Sequence, residues 1–349
     1  MKLLILTQKA NINDDVLGFM HGWIAELAKV CEKVTVICLE KGEANLPSNV
    51  KVLSLGKESG RSRIKYVGNF YKYIWQEREN YDKVFVHMNQ EYVLLGGLLW
   101  KMWGKKVFFW RNHPKGGFFT DLAVSLSYKV FCTSKFSYTA KFAKTELMPA
   151  GIETDYFVNS NYPAGKEGIN LLFLGRISPI KDLETLIKSL AITREEGEKF
   201  FLNIVGAAGE KDKQYFERMK NLITKLELGE YVKFWGKASH KKTLEFYNKN
   251  DIFINLTGSG SLDKTTLEAM SCEKLVLVCN ESFRDIFPKD WHDIMIFKEG
   301  DANDLARKII GLSKMEADKK TFIAKEARKI VIENHSLDIL VKNVFHKIK

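Results

Sequence analysis

The sequence predicts an α/β protein built from two doubly wound domains that face a central cleft. Three observations predict it. At 349 residues the chain exceeds one typical core and suits two domains of ordinary size. In both halves short apolar runs alternate with amphipathic segments, the pattern of parallel strands covered on both faces by helices. The stretch "MPAGIETDYFVNSNYPAGKEG" (148–168) interrupts the alternation with two prolines and three glycines and reads as an interdomain linker. The expected domains are residues 1–155 and 156–334, and a helix of about 335–349 can pack back onto the first.

Along the first half, strands are expected at "KLLILT" (2–7), "KVTVICL" (33–39), "VKVLSL" (50–55), "KVFVHM" (83–88), "KVFFW" (106–110), "YKVFCT" (128–133) and "TELMPA" (145–150). Helical periodicity fills 17–30, 61–78, 91–103 and 135–143. After the linker the alternation restarts with strands 169–175, 200–206, 231–236, 251–256, 274–279 and 293–297. Helices are expected at 182–194, 211–226, 240–249, 263–272, 301–315 and 316–349. Two successive sets of βα units place ligands at the carboxyl ends of the strands.

Composition narrows the class. The chain is 45% apolar and 28% charged, as a folded soluble protein is. Five scattered cysteines without a CxxC pair read as reduced core thiols of a cytoplasmic protein. "MKLLILT" lacks a cleavage site and a long apolar core, so it reads as a first strand, and no run is long enough to span a bilayer. Residues 1–150 carry 22 Lys+Arg against 13 Asp+Glu, whereas 151–349 carry 32 against 30. The excess of positive charge therefore belongs to the N-terminal half and calls for an anionic partner.

Two stretches carry chemistry. In "LLFLGRISPIKDLETLIKSL" (171–190) a buried strand ends at Gly175, Arg176 follows at once, and Lys181 precedes a helix that Asp182 can cap. Two cations beside a helix N-terminus suit a phosphate or diphosphate. The plain alternative is a surface Arg and Lys flanking a βα turn. In "LTGSGSLDKTTLEAMSCEKLVLV" (256–278) a loop of glycines and hydroxyls hands over to a helix opening near Asp263. Its amides and helix dipole suit an anion, and Glu268, one turn inside, can accept two ribose hydroxyls. The alternative is a solvated helix carboxylate, against which the apolar neighbours Leu267, Ala269 and Met270 argue.

These stretches, in this order and separation, resemble the C-terminal domain of family 4 retaining glycosyltransferases of the GT-B fold, in the subset with a "GSLDK"-like loop. "MPAGIETDYF" and "YVKFWGKASHKKTLEFYNKNDIFINLT" resemble the same family's linker and the strand-helix-strand before its donor loop. The resemblance covers nearly the whole C-terminal half. "VLGFMHGWIAELAK" and "KVFFWRNHP" match the N-terminal half more loosely. It implies that Arg176 and Lys181 neutralise a donor diphosphate, that Glu268 binds the ribose, and that His113 sits by the transferred sugar. The implied donor site comprises Gly18, Gly175, Gly206, Gly260, Ser261, Leu262, Asp263, Lys264, Thr265 and Thr266 with Glu268. One departure stands out: where the family often has Glu-x7-Glu, the position eight before Glu268 is Gly260. Sugar recognition is then expected through backbone amides and Asp263.

The implied activity is metal-independent, same-face transfer of a sugar from a UDP- or GDP-sugar to a glycan or lipid-linked acceptor held by the N-terminal domain, as in cell-envelope polysaccharide or glycolipid synthesis. No cofactor is expected. An inactive nucleotide-sugar-binding protein and a GT-B nucleotide-sugar epimerase are the rivals. His87, which also ends a strand, is the fallback for His113, against a histidine that simply tops a strand. Asp14-Asp15 reads as a turn more than as an acceptor-binding pair, and "DAND" (301–304) as a helix cap more than a metal motif. Finally, 60–76 places Ile64, Val67, Tyr71 and Ile74 on one helical face near Arg61, Arg63, Lys65 and Lys72. "LLGGLLWKMWGKK" (94–106) adds Trp100, Trp103, Lys105 and Lys106. Basic helices with aromatics suit the anionic inner face of a membrane, unless their apolar faces are core. Nucleic acid is not expected, since no recognition motif accompanies the charge.

Overall fold

A computed structural model describes residues 1–60, 62–160 and 168–349. Arg61 and residues 161–167 of the expected linker lie outside the described residues. The chain divides into two compact units, Met1–Gly151 with Leu337–Lys349, and Ile152–Ser336.

The first unit runs β1 (Lys2–Ala10), α1 (Phe19–Val30), β2 (Lys33–Lys41), β3 (Val50–Ser54), α2 (Arg63–Gln76), β4 (Lys83–His87), α3 (Gln90–Met102), β5 (Lys106–Trp110), α4 (Phe118–Leu126), β6 (Lys129–Cys132) and β7 (Thr145–Leu147). Its seven strands form one sheet in the order β3-β2-β1-β4-β5-β6-β7, paired in parallel throughout. The continuous apolar runs divide by the period of two. Leu3, Ile5, Phe85, Phe108 and Trp110 point to one face, packing beneath α1. Leu4, Leu6, Val84, Val86, Val107 and Phe109 point to the other, beneath α2, α3 and α4.

The second unit runs β8 (Ile169–Leu174), α5 (Leu183–Glu195), β9 (Phe200–Val205), α6 (Lys213–Lys225), β10 (Val232–Gly236), α7 (Thr243–Asn248), β11 (Ile252–Asn255), α8 (Lys264–Ser271), β12 (Leu275–Val278), α9 (His292–Met295), α10 (Ala302–Ser313) and α11 (Ala317–His335). Its five parallel strands lie in the order β10-β9-β8-β11-β12. A last helix, α12 (Leu337–Ile348), belongs to the first unit, where Leu340, Val341 and Val344 pack with Trp23 and Leu27 of α1.

Four expectations need correction. Helix α4 occupies residues that carried no helical expectation; its apolar run starts straight after Gly116-Gly117, without a capping residue to announce it. The helix expected at 135–143 is only a 3₁₀ turn, Tyr138–Lys141. The strand expected at 293–297 is α9, followed by a single bridge between Ile296 and Val278 at the sheet edge. The helix expected over 316–349 breaks at Ser336, whose extended backbone bridges Ile152.

All five cysteines are free and buried, as core thiols are. Capping is orthodox at two sites. Asp182 accepts from the amide and hydroxyl of Thr185 at the start of α5, and Asp301 accepts from the amide of Asp304 at the start of α10.

Candidate functional site

The order of the second sheet reverses between β8 and β11. The loops leaving the carboxyl ends of those two strands therefore meet, which is where doubly wound sheets make a crevice. Glycine is required on one side of it. A Cβ on Gly206, which follows β9 at φ +140°, would stand 1.9 Å from the carbonyl oxygen of Gly175, which follows β8. Backbone bonds extend the strand ends past both glycines: Gly175 N–H donates to Val205, Gly206 N–H to Gly236 and Ile177 N–H to Ala207.

Arg176 is exposed at this exit, and among the described residues its guanidinium makes no ion pair. Ile177 is buried and fixes the loop beneath it, while Ser178 keeps a buried hydroxyl without a hydrogen-bond partner among the described residues. The chain then turns through Pro179–Lys181 and aims Lys181 at the other loop. Its Nζ donates to Asp263 Oδ2 at 2.6 Å and to Thr257 Oγ1 at 2.8 Å.

Asp263 is thus the N-terminal flank of α8, yet its side chain does not cap that helix. It takes Lys181 on one oxygen and the hydroxyl of Thr265 on the other, at 3.0 Å. Burial works against its charged form, but Lys181 and the bonds from Asn255, Lys181 and Thr265 outweigh it, holding the carboxyl well below its usual range. The carboxylate that the sequence offered to a sugar is therefore engaged in tying two loops together. Beside it, Asn280 anchors the glycine loop by donating to the carbonyl of Ser261 at 2.7 Å, and Leu262 is buried beneath. Gly260 is buried in the same loop.

Within α8, Thr266 is fully buried and its hydroxyl lacks a partner among the described residues. Burial pushes the Lys264 ammonium down to about 7, against the opposing pull of Glu268 and Glu153. Glu268 is not a solvated carboxylate: it is 3% exposed. His240 Nε2 lies 2.9 Å from its Oε1, and Tyr247 O–H donates to its Oε2 at 2.9 Å. Although burial opposes the imidazolium, Glu268 and Glu153 raise His240 above its ordinary value. Burial likewise raises the carboxyl of Glu153.

In the first unit, Gly18 flanks α1 with ordinary helical dihedrals, φ −54° and ψ −32°, a conformation open to any residue. The loop before it is organised by Asp14, whose carboxylate accepts from the amides of Val16 and Leu17 and from Lys9, so the turn reading of this acid describes it. His113 is exposed in the turn after β5, its Nδ1 within 3.0 Å of both the amide and the carbonyl of Lys115. His87 is buried against Phe19 and Trp23 and is a core histidine.

The structure therefore brings Gly175, Gly206, Lys181 and Asp263 together at one strand-order reversal, with Arg176 at its rim, and surrounds Glu268 with polar partners. Sequence reasoning missed His240, Tyr247 and Glu153. A signal for the first two was present only in the expected helix 240–249, where they stand seven apart; α7 begins at Thr243 and leaves His240 in the turn before it. Glu153 offered none. Among the described residues, no three His, Cys, Asp or Glu side chains come together to hold a metal ion, and no helix is long and apolar enough to cross a membrane.

Residues 160–330 match the family profile of glycosyl transferases group 1. An uncharacterised glycosyltransferase of Methanocaldococcus jannaschii is 26% identical over 179 residues, 51% of this chain and 44% of that protein. A D-inositol 3-phosphate glycosyltransferase of Catenulispora acidiphila is 23% identical over 186 residues, 50% of this chain and 44% of that protein. The matched segments thus span under half of these relatives' length. Over the whole chain, Anabaena HepE in complex with UDP and glucose superposes with a TM-score of 0.79 at 17% identity, covering 100% of this chain and 99% of that one. A glycosyltransferase from Rickettsia africae gives 0.79 at 17%, covering 100% and 98%. The fold of two parallel α/β units is the GT-B fold.

Proposed function

We infer that this chain, a member of the glycosyl transferases group 1 family with the GT-B fold, is a metal-independent retaining transferase that moves a sugar from a nucleotide-sugar donor to a glycan or lipid-linked acceptor. The observation that carries this reading is the meeting of Arg176, Lys181 and the N-terminal flank of α8 at the β8/β11 reversal, inside the matched segment. HepE's complex with UDP and glucose favours a UDP-sugar over a GDP-sugar.

The chemistry follows from what departs. A leaving nucleoside diphosphate gains charge as the glycosidic bond stretches, so the site must supply donors fixed in advance. Arg176 offers a planar fork to two phosphate oxygens. Lys181 has three N–H donors; Asp263 and Thr257 take two, which leaves one for the diphosphate. Asp263 acts through Lys181 as a positioning residue. The amides of Lys264 and Thr265 and the dipole of α8 add oriented partial charge, while the Thr266 amide is engaged by the Asp263 carbonyl at 3.2 Å.

Each Glu268 oxygen already accepts one bond and keeps a second acceptor site, so a ribose can add its two hydroxyls while His240 and Tyr247 hold the rotamer. The loop of Gly260, Ser261 and Leu262 would read the sugar through its amides, as a "GSLDK"-type loop without the first Glu. In the first unit, His113 is proposed as a sugar contact, with Gly18 in the neighbouring phosphate loop. No side chain is assigned as a covalent nucleophile; attack on the same face lets the donor phosphate accept the acceptor's proton.

The test is release of nucleoside diphosphate from a panel of UDP- and GDP-sugars, with mass analysis of products formed on lipid and glycan acceptors. Stabilisation by nucleotide without any release would make the protein a binder. Formation of the epimeric sugar, free or nucleotide-bound, without an acceptor would make it an epimerase.

A further inference from the structure

Helices α2, α3 and α4 lie side by side on one face of the first sheet. Their inner sides supply Phe70, Ile74, Val93, Trp100, Ala123 and Val124 to one core. Neighbours are locked: Tyr71 O–H donates to the carbonyl of Leu95 at 3.1 Å, and Trp75 meets Trp103 edge-on at 5.7 Å. Between α3 and α4, Thr120 donates to Gln90 at 2.7 Å, and Gly97 leaves room for Leu126.

The outer side of this layer is apolar as well. On α2 the exposed Ile64, Val67, Tyr71 and Trp75 recur at three- and four-residue steps and form a stripe beside the buried Phe70 and Ile74. On α3 Leu98 and Met102 are exposed, one turn apart, and on α4 Phe118, Phe119 and Leu122 are. The outermost are nearly bare: Ile64 is 84% exposed, Met102 80% and Phe118 75%. Aliphatic and aromatic side chains at that exposure, on three adjacent helices, exceed the scattered apolar surface of an ordinary monomer.

Charge selects the occupant. Helix α2 carries Arg63, Lys65 and Lys72 among its apolar residues and no acid at all. Lys101 closes α3, and Arg78 stacks over the Trp75 ring at 4.9 Å. The acids are few: Glu91 opens α3, Glu79 pairs with Arg78 at 3.4 Å, and Asp121 of α4 accepts from Tyr138 O–H at 2.8 Å. We propose that the outer side of α2, α3 and α4 docks on the interface of an anionic lipid bilayer. The apolar tips enter the headgroup boundary, Trp75 and Tyr71 sit at its level, and the basic side chains meet lipid phosphates. A layer of protruding apolar tips with an excess of basic side chains suits a deformable anionic surface better than a protein groove. The proposal does not depend on the transferase reading, because binding is read without donor or acceptor.

The experiment is vesicle sedimentation of the full chain. Phosphatidylcholine vesicles are compared with the same vesicles carrying about 30% phosphatidylglycerol. The expected result is binding to the anionic vesicles only, reduced at about 0.5 M salt. The triple variant Ile64→Ser, Met102→Ser, Phe118→Ser should partition at least about tenfold less. Arg63→Gln, Lys65→Gln, Lys72→Gln should lose the preference for anionic lipid. All six positions are exposed, so unchanged melting temperatures are expected of both variants. Phe322→Ser, an exposed apolar residue of α11, should bind as the wild type does. No binding by the wild type, equal binding to neutral vesicles, or wild-type binding by the triple variant would overturn the proposal. So would a wild-type dimer that the triple variant dissolves, which would make this face a contact between two copies.

Discussion

The ammonium of Lys181 stands 2.6 Å from the carboxylate of Asp263, across the loops that leave β8 and β11. Neither residue alone explains the other's position. A lysine at the exit of a central strand is unremarkable, and an aspartate before a helix normally caps it. Together they clamp two loops at the strand-order reversal and leave one ammonium proton unshared among the described residues. Removing the acid should therefore harm the site without touching a ligand atom. Asp263→Asn is expected to lower turnover at least about tenfold and to destabilise by about 3 kcal/mol, since a mostly buried cation loses its partner. Lys181→Ala should cost a similar amount, and the double variant should cost less than the sum. Strict additivity in turnover and melting temperature would show that the two residues act separately.

Arg176 is exposed and unpaired with any acid among the described residues, so its loss should leave the fold alone. Arg176→Ala is expected to reduce turnover at least about tenfold with an unchanged melting temperature. Arg176→Lys should recover only part of it, because an ammonium cannot reproduce the planar fork. A drop in melting temperature would mark the arginine as structural instead.

The His240–Glu268 contact makes stability depend on pH with a definite sign. His240 is raised above 6.5, so the folded protein holds that proton more tightly than the unfolded chain. Its stabilising contribution is complete below about pH 6.5 and is lost as pH rises through the folded value. His240→Gln should flatten the melting-temperature curve over that window when the two curves are subtracted. Tyr247→Phe, which strips a donor from a buried carboxylate, should cost about 1–3 kcal/mol across the range.

Lys264 provides a thermodynamic signature of anion binding. Its ammonium titrates at about 7 in the unliganded protein because burial disfavours its charge. A diphosphate bound at the start of α8 should restore that charge, so binding of UDP at pH 8 is expected to take up protons. Calorimetry in buffers of different ionisation enthalpy reads this directly. Identical apparent enthalpies in all buffers would remove Lys264 from the site.

Gly206→Ala tests the crevice itself. Its Cβ would collide with the Gly175 carbonyl at 1.9 Å, at a φ that disfavours any side chain. A loss of about 3 kcal/mol is expected, read as a lower chemical-denaturation midpoint. A neutral result would mean that the two strand ends yield more readily than their packing indicates.

Much of this was legible in the sequence because it follows from local period and composition. The parallel strands announce themselves as β-branched runs, and Gly175, Gly206 and Lys181 sit where strand ends must be. What was hidden depended on distant partners. Asp263 looks like a cap until Lys181 is seen 82 residues away. Glu268 looks like an open ligand until His240 and Tyr247 close over it. The break at Ser336 comes from its pairing with Ile152, which no local pattern reveals. The outer stripe of α2 was misread by one position: Ile74 faces the core, and Trp75 takes its place outside.

The most direct measurement is the affinity of UDP for the wild type and for Arg176→Ala, by calorimetry at one salt concentration. The account predicts measurable binding by the wild type and at least about tenfold weaker binding by a variant of equal melting temperature. Equal affinity in the two proteins, or no binding of UDP or GDP by the wild type, would contradict a donor site at the β8/β11 reversal.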